Sequence, residues 1–251
     1  MWNLVFLCFA GFLASFVDSI AGGGGLISVP AFFIAGFPVH YALGTNKFAA
    51  TTGSFTSSLK FALSGKVNFK LIKYIIPFTF IGAVLGVKTV LLISQDFLYP
   101  LVMALILFVG IYSLFSKTIG LENKFTGITK LNLFLGILLG FVIGFYDGFF
   151  GPGTGSFLIF GLISIFKFDF THASGNAKFL NFVSNITSLL VFALEGKINY
   201  LYGIPIAMFM IIGANLGTKA ALTKGSKLIK PIFVVMSLGV ALKILIENYL
   251  L

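Results

Sequence analysis

Charged residues are scarce in this chain of 251 residues, and arginine is missing altogether. Only 10% of the residues are charged, whereas a soluble domain carries about 25%. All 17 basic residues are lysines, and only seven residues are acidic. Hydrophobic residues make up 58% of the chain, and apolar runs long enough to cross a bilayer follow one another with short polar breaks. This composition is that of an integral membrane protein.

Several kinds of site are excluded by what the chain lacks. Cys8 is the one cysteine, so there is no internal disulfide and no cysteine-based metal site. The chain has neither a P-loop nor a dinucleotide-binding glycine pattern. It also has no Ser-His-Asp arrangement at membrane depth, so we expect no enzyme, no cofactor and no metal. The net charge of +10 comes from lysines in short loops, which favours membrane-protein loops over a nucleic-acid partner.

The two halves of the sequence are similar to each other. The run IGAVLGVK at 81–88 recurs as IGANLGTK at 212–219, and SGKVN at 64–68 recurs as EGKIN at 195–199. The offset is 131 residues in both cases. In so apolar a chain, an internal duplication predicts a transporter built from two repeats around a central site.

Each half contains five apolar segments, of which the second is too short to cross a bilayer as a helix. The segments are roughly 2–20, 24–37, 41–63, 69–92 and 97–116, then 131–149, 154–167, 172–194, 199–221 and 228–248. A helix of about 14 residues spans about 21 Å, against a hydrocarbon core of about 30 Å. We divide the chain into membrane repeat 1 (1–116), a cytoplasmic linker (117–130) and membrane repeat 2 (131–251), which form one membrane domain.

Lysine placement decides between two arrangements of the repeats. If the first two segments of each half form one broken helix, the repeats are parallel and the lysines divide nine against eight across the membrane. If these segments turn back, as a re-entrant hairpin or two short crossings, the repeats are inverted and the division is thirteen against four. Lysines accumulate in cytoplasmic loops. We therefore predict an all-α integral membrane protein of two inverted repeats, with two short segments around a glycine-rich break and three full transmembrane helices in each, and both termini outside.

The glycine-rich breaks are the first candidate site. Irregular backbone at membrane depth is tolerated only where it is buried in protein or lines a cavity. The helix that begins after each break presents free N–H groups and a positive dipole end, which favour an anion. The alternative is that the glycines serve only close helix packing. The candidate anion ligands in the two breaks are Gly22, Gly23, Gly24, Gly25, Gly151, Gly153, Thr154 and Gly155.

One aspartate precedes each break by four residues. Asp18 and Asp147 are flanked by apolar sequence, and a charged group at membrane depth costs about 3 kcal/mol or more. We interpret both as coupling or gating carboxylates that can take up a proton. The alternatives are a helix cap or a structural ion pair with Lys47 or Lys178.

Polar residues cluster again at the start of the third segment of each half. Asn46 and Lys47 in repeat 1, and Asn176 and Lys178 in repeat 2, offer hydrogen-bond donors and point charges to an oxyanion. Further polar residues follow on the same segments and predict a polar path, with interhelical hydrogen bonding as the alternative. In repeat 1 they form the run TTGSFTSS at 51–58, and in repeat 2 they are Asn181, Ser184, Asn185, Thr187 and Ser188.

Three of these runs resemble a known family. DSIAGGGGLISVP at 18–30 and ALGTNK at 42–47 are similar to the first repeat of the TauE/SafE sulfite exporter family, and GFYDGFFGPGTG at 144–155 resembles its second. The similarity extends over essentially the whole chain, although His172 lies one position off the register of His40. The resemblance implies a multi-pass permease of the bacterial or archaeal inner membrane that exports small sulfur oxyanions or sulfonates.

We therefore expect a secondary transporter of small anions, sulfite or organosulfonates, working by alternating access between the repeats. The residues of the two breaks, with Asn46, Lys47, Asn176 and Lys178, form the expected anion cradle. A passive anion channel and a non-transporting membrane scaffold are the alternatives. The expected partners are the small anion, the lipid bilayer and at most a second copy of the chain in a homodimer.

Overall fold

A computed structural model describes residues 2–98, 100–101, 104–105 and 122–224. These residues include eight α-helices with the following bounds. They are α1 (Trp2–Ala21), α2 (Gly25–Ile34), α3 (Val39–Leu63), α4 (Phe69–Leu92), α5 (Lys130–Phe149), α6 (Thr154–Phe166), α7 (Phe170–Leu194) and α8 (Tyr200–Lys224). The described residues form no strand. Five of the helices (α1, α4, α5, α7 and α8) are long and apolar enough to cross a membrane. This differs from the prediction in two respects, because α1 and α5 are full-length candidates and not short segments, and the polar helix α3 is not among the five.

These helices match the predicted segments to within three residues at every end. Repeat 1 supplies α1 to α4 and repeat 2 supplies α5 to α8. Apart from its first positions, the predicted segment 97–116 lies outside the described residues, as does all of 228–248. The predicted linker, 117–130, is described from residue 122 onward.

Polar caps fix where several helices begin. The side chain of Asn68 accepts a hydrogen bond from the Leu71 N–H at 3.1 Å at the start of α4. Asp169 accepts one from the His172 N–H at 2.8 Å at the start of α7. Such caps satisfy N–H groups that have no partner within the helix. The loops before α4 and α7 therefore end at defined residues, which sets the position of each helix.

Both short helices turn back along the first helix of their repeat. The Asn3 side chain, at the start of α1, donates to the Ala35 carbonyl at the end of α2, at 3.5 Å. In repeat 2, a Cβ added to Gly136 would lie 2.7 Å from Phe166 at the end of α6. Each break is therefore a hairpin turn, as the inverted arrangement requires, and not a bend in one continuous helix.

The two repeats exchange their fourth helices. In repeat 1, α1 packs along α8 of repeat 2, while α5 of repeat 2 packs along α4 of repeat 1. Both contacts place glycines of one helix directly against carbonyl groups of the other, where a Cβ would collide. The glycine and carbonyl partners are Gly213 with Phe12, Gly217 with Phe16, Gly82 with Phe141, and Gly86 with Phe145.

This exchange produces two four-helix bundles. Bundle A contains α1, α2, α3 and α8, and bundle B contains α4, α5, α6 and α7. Leu7, Phe32 and Ile206 belong to the buried core of bundle A, and Ile75 and Leu162 to that of bundle B. Among the described helices, the bundles meet mainly where α3 crosses α7, with a smaller contact between α1 and α6. The candidate site lies at this junction.

Candidate functional site

The two glycine breaks meet where the bundles meet. A Cβ at Gly22 would collide with the backbone of Gly155 and Ser156, and one at Gly25 would lie 2.9 Å from the Cα of Pro152. The Ser156 hydroxyl donates to the Ala21 carbonyl across the junction at 3.2 Å. The backbones approach too closely for side chains, which explains the glycines at Gly22 and Gly25 on packing grounds.

Left-handed backbone conformations end the first helix of each hairpin. The φ angle is +79° at Gly22 and +100° at Gly151. L-residues with a side chain rarely adopt such angles, whereas glycine does so freely. The turn releases the chain to begin α2 at Gly25 and α6 at Thr154. Both helix N-termini are thereby directed to the same region of the molecule.

A cavity with a volume of about 50 Å³ available to the centres of water molecules lies at this junction. Bundle A contributes wall residues from α1, α2, α3 and α8, and bundle B contributes the second break and α7. Eleven of the fourteen predicted site residues line it. These are Asp18, Gly23, Gly24, Gly25, Asn46, Lys47, Asp147, Gly151, Gly153, Thr154 and Gly155.

Three predicted site residues do not line the cavity. Gly22 is packed against the second break. Lys178 is fully buried behind the wall, where it contacts Asp18. Asn176 is directed elsewhere, since its Oδ1 accepts from the Asn68 N–H and its Nδ2 donates to the His172 carbonyl, both at 2.8 Å. The structure therefore places Asn176 as a cap on the loop before α4.

Some wall residues were absent from the predicted cradle. Ser54, Asn181 and Asn185 line the cavity and belong to the polar stretches predicted only as a path. Ser15 and Ser28 carried no prediction at all. A signal for Ser15 existed in the sequence, because it precedes Asp18 by three residues and so shares its helix face.

The charged residues pair crosswise between the bundles. The Lys47 Nζ of α3 lies 2.7 Å from the Asp147 Oδ2 of α5. The Lys178 Nζ of α7 lies 2.7 Å from the Asp18 Oδ2 of α1. Each pair joins one bundle to the other and one repeat to the other. The ion-pair alternative for the aspartates is thus the arrangement observed.

The Lys47–Asp147 pair is almost completely buried. The Lys47 and Asp147 side chains are only 4% and 3% exposed. The Ser184 hydroxyl donates to Asp147 Oδ2 at 2.6 Å, and Lys47 Nζ donates to Asn185 Oδ1 at 3.1 Å. A buried ion pair is stable only when further hydrogen bonds satisfy its remaining groups, and these two contacts supply them.

The Lys178–Asp18 pair is open on one side. Lys178 is fully buried, but the Asp18 side chain is 21% exposed and forms part of the cavity wall. The Gly24 N–H, at the N-terminus of α2, donates to Asp18 Oδ1 at 3.2 Å. The aspartate therefore touches the space that a ligand would occupy.

The cavity wall carries hydrogen-bond donors. The first turns of α2 and α6 open on it through Gly24, Gly25 and Thr154, where the Gly24 N–H donates to Asp18 and the Thr154 N–H to the Gly151 carbonyl. The dipoles of the two helices add partial positive charge. Asn46, and Lys47 in its pair with Asp147, complete a wall that suits a small oxyanion.

The chain matches known proteins over nearly its whole length. The family model described as sulfite exporter TauE/SafE matches residues 7–244. The chain belongs to the TauE/SafE family. That match includes both glycine breaks and every residue that lines the cavity.

Relatives within the TauE/SafE family are described as transporters. The chain is 39% identical to a probable membrane transporter protein of Haemophilus influenzae, over 98% of this chain and 95% of that protein. It is 36% identical to one of Sinorhizobium, over 97% and 93%. It is also 36% identical to the probable membrane transporter protein YfcA of Escherichia coli, over 97% and 90%. No solved structure gives a significant match.

Proposed function

We propose that this TauE/SafE protein is a secondary transporter of a small anion, with sulfite and organosulfonates as the candidate substrates. The observation that carries the proposal is the cavity between the two bundles, because both helix N-termini and Lys47 open on it. Small oxyanions fit such donor sets. The family description supports sulfur oxyanions as the class to test first.

Alternating access between inverted repeats is the proposed mechanism. Transporters built from inverted repeats commonly expose a central site by rocking one bundle against the other. Here each bundle holds helices from both repeats, and among the described helices they touch mainly along α3 and α7. The crosswise ion pairs at this contact would have to adjust during such a motion.

We further propose an inner-membrane location with both termini outside. Lys47 and Lys178 are buried in the ion pairs between the bundles. Removing them takes one lysine from each side of the predicted count, and the bias becomes twelve against three. Loop lysines favour the cytoplasm. A tag at either terminus should be accessible from outside intact cells, and one at Lys124 should be protected. A cytoplasmic N-terminus would contradict the inverted topology.

Counterflow in proteoliposomes tests the proposed transport. Vesicles that hold the purified protein and unlabelled sulfite, and in a second series methanesulfonate, should accelerate the uptake of the same labelled anion. Ala50→Leu should abolish the exchange, because Ala50 lines the cavity. Ala62→Leu, on the same helix but away from the cavity, serves as the control. Anion flux without counterflow would favour a channel, and no flux with either anion would count against an anion transporter.

A further inference from the structure

We propose that Asp18, and not Asp147, takes up a proton when the anion binds, so that the bound anion replaces the Asp18 carboxylate as counter-ion of Lys178. The inference rests on the proposed anion transport and assigns its coupling group. It follows from the geometry of the two ion pairs and from the charge balance around Lys178.

Only Asp18 combines an ion pair with substantial exposure to the cavity. Its side chain is 21% exposed, against 3% for Asp147. The residues on the facing helices explain the difference. At the offset of 131 residues, α3 carries Ala50, Gly53 and Ser54 where α7 carries Asn181, Ser184 and Asn185. Ser184 of α7 contacts Asp147 and Asn185 contacts its partner Lys47, whereas Ala50 and Gly53 of α3 have no polar side-chain atom to offer the Asp18–Lys178 pair.

The charges that face Asp18 come from three elements. Lys178 of α7 is its direct partner, Lys47 of α3 attracts it electrostatically, and Asp147 of α5 lies on the same cavity wall. The N-terminus of α2 adds a hydrogen bond from the Gly24 N–H. Among the described residues of the wall, α2, α6 and α8 contribute no charged side chain.

Neither the anion nor the proton binds favourably alone. An anion in the cavity would stand beside the Asp18 carboxylate, so that two negative charges would compete for one lysine. A proton on Asp18 without the anion would leave Lys178 buried with no counter-ion, which is costly. Binding both removes both penalties, because the anion then balances Lys178 and the carboxyl group is neutral. The two binding events are therefore linked.

Gly155 lies beside the ion pair and leaves no room for a side chain. A Cβ at this position would lie 2.9 Å from the Cα of Gly22, 3.2 Å from Lys178 Nζ and 3.4 Å from Asp18 Oδ1. Gly155 also lines the cavity. Backbone, and not a side chain, therefore forms the cavity wall next to Asp18.

Asp147 is held differently. Its Oδ2 already accepts from both Lys47 and Ser184, and Lys47 also donates to Asn185. Protonation of Asp147 would disrupt this network without opening a place for a ligand. We therefore expect its carboxylate to stay charged throughout transport.

Linkage predicts the direction of the pH effect. Because anion binding takes up a proton, anion affinity should fall as the pH rises, by at most about tenfold per pH unit for one proton. Asp18→Asn mimics the protonated carboxyl group. It should bind the anion with little pH dependence and without proton uptake.

Infrared difference spectroscopy of the purified protein tests the proposal. Methanesulfonate is the probe, because it stays a monoanion and carries no proton of its own. Its addition should produce the C=O band of one newly protonated carboxyl group. The band should be absent in Asp18→Asn. It should be unchanged in Ser184→Ala, which removes the hydrogen bonds that this hydroxyl donates to Asp147 and to the Asn181 carbonyl.

Each contrary outcome has a distinct meaning. Methanesulfonate binding without a carboxyl band, or a band that persists in Asp18→Asn or shifts in Ser184→Ala, would overturn the role of Asp18 and leave anion transport standing. If the wild type and Asp18→Asn both fail to bind methanesulfonate and sulfite at every pH, the anion site itself falls, together with its coupling. Thermal unfolding of each variant shows whether it has folded.

Discussion

The Lys47–Asp147 and Lys178–Asp18 pairs occupy equivalent places in the exchanged repeats, with the same Nζ–Oδ2 distance of 2.7 Å, yet their surroundings differ. The first is sealed by Ser184 and Asn185. The second borders the cavity through Asp18. The two repeats thus contain the same kind of ion pair in two environments. One pair is buried, and the other is accessible from the cavity.

The difference arises from a few positions on α1 and α3. Gly53 of repeat 1 is the counterpart of Ser184 in repeat 2. A Cβ at Gly53 would collide with the hydroxyl of Ser15, so Ser15 of α1 occupies the space that the Ser184 side chain fills in repeat 2. Ala50 and Ser54 are small and line the cavity. Divergence between the halves, and not the duplication itself, therefore accounts for the open side of the site.

The largest expected effect is on the sealed pair. Asp147→Ala leaves the Lys47 charge buried without a counter-ion, so we expect a loss of about 3–5 kcal/mol in stability. Asp18→Ala should cost clearly less, because the cavity lets water reach the remaining charge. Thermal unfolding in detergent measures both. The double variant Asp147→Ala with Lys47→Met should recover part of the loss, and equal costs for the two single variants would contradict the comparison.

Where the repeats are alike, equivalent changes should have equal effects. A Cβ at Gly86 would collide with the Phe145 carbonyl, and one at Gly217 with the Phe16 carbonyl. We expect each alanine variant to lose about 1–3 kcal/mol through overpacking. Gly161→Ala is the control, since its Cβ would meet only the movable end of Leu139, at 2.6 Å. A large difference between Gly86→Ala and Gly217→Ala in thermal unfolding would show that the two helix contacts are not equivalent.

Much of the fold could be predicted from the sequence, because lysines, glycines and prolines interrupt apolar runs at defined places. The helix bounds and the two hairpin breaks follow from that pattern. The pairing of Asp18 with Lys178 was left open between two lysines, since partners 160 residues apart leave no local signal. Exposure of one aspartate and not the other depends on packing across the bundles, which residue types alone do not determine.

Asn176 shows a signal that was present in the sequence and was not used. The offset of 131 residues aligns Asn176 with Thr45 and not with Asn46. Both Thr45 and Asn176 act as caps on a loop of the other repeat. Thr45 Oγ1 accepts from the Asn199 N–H at 2.9 Å, as Asn176 Oδ1 does from the Asn68 N–H at 2.8 Å. Comparing each polar residue with the residue 131 positions away matches Asn176 with Thr45. This match distinguishes the two caps from the residues that line the cavity.

The smallest expected effect distinguishes such a cap from a ligand. Thr45→Ala and Asn176→Ala each remove one partly buried hydrogen bond to a loop N–H, which should cost about 0.5–1.5 kcal/mol. Asn176→Ala should lie toward the upper end, because it also loses the bond to the His172 carbonyl. Neither variant should change the KM for the transported anion in proteoliposomes, since neither side chain lines the cavity. A raised KM in Asn176→Ala, with the KM of Thr45→Ala unchanged, would show that Asn176 contributes to anion binding. The two caps would then be equivalent in structure but not in function.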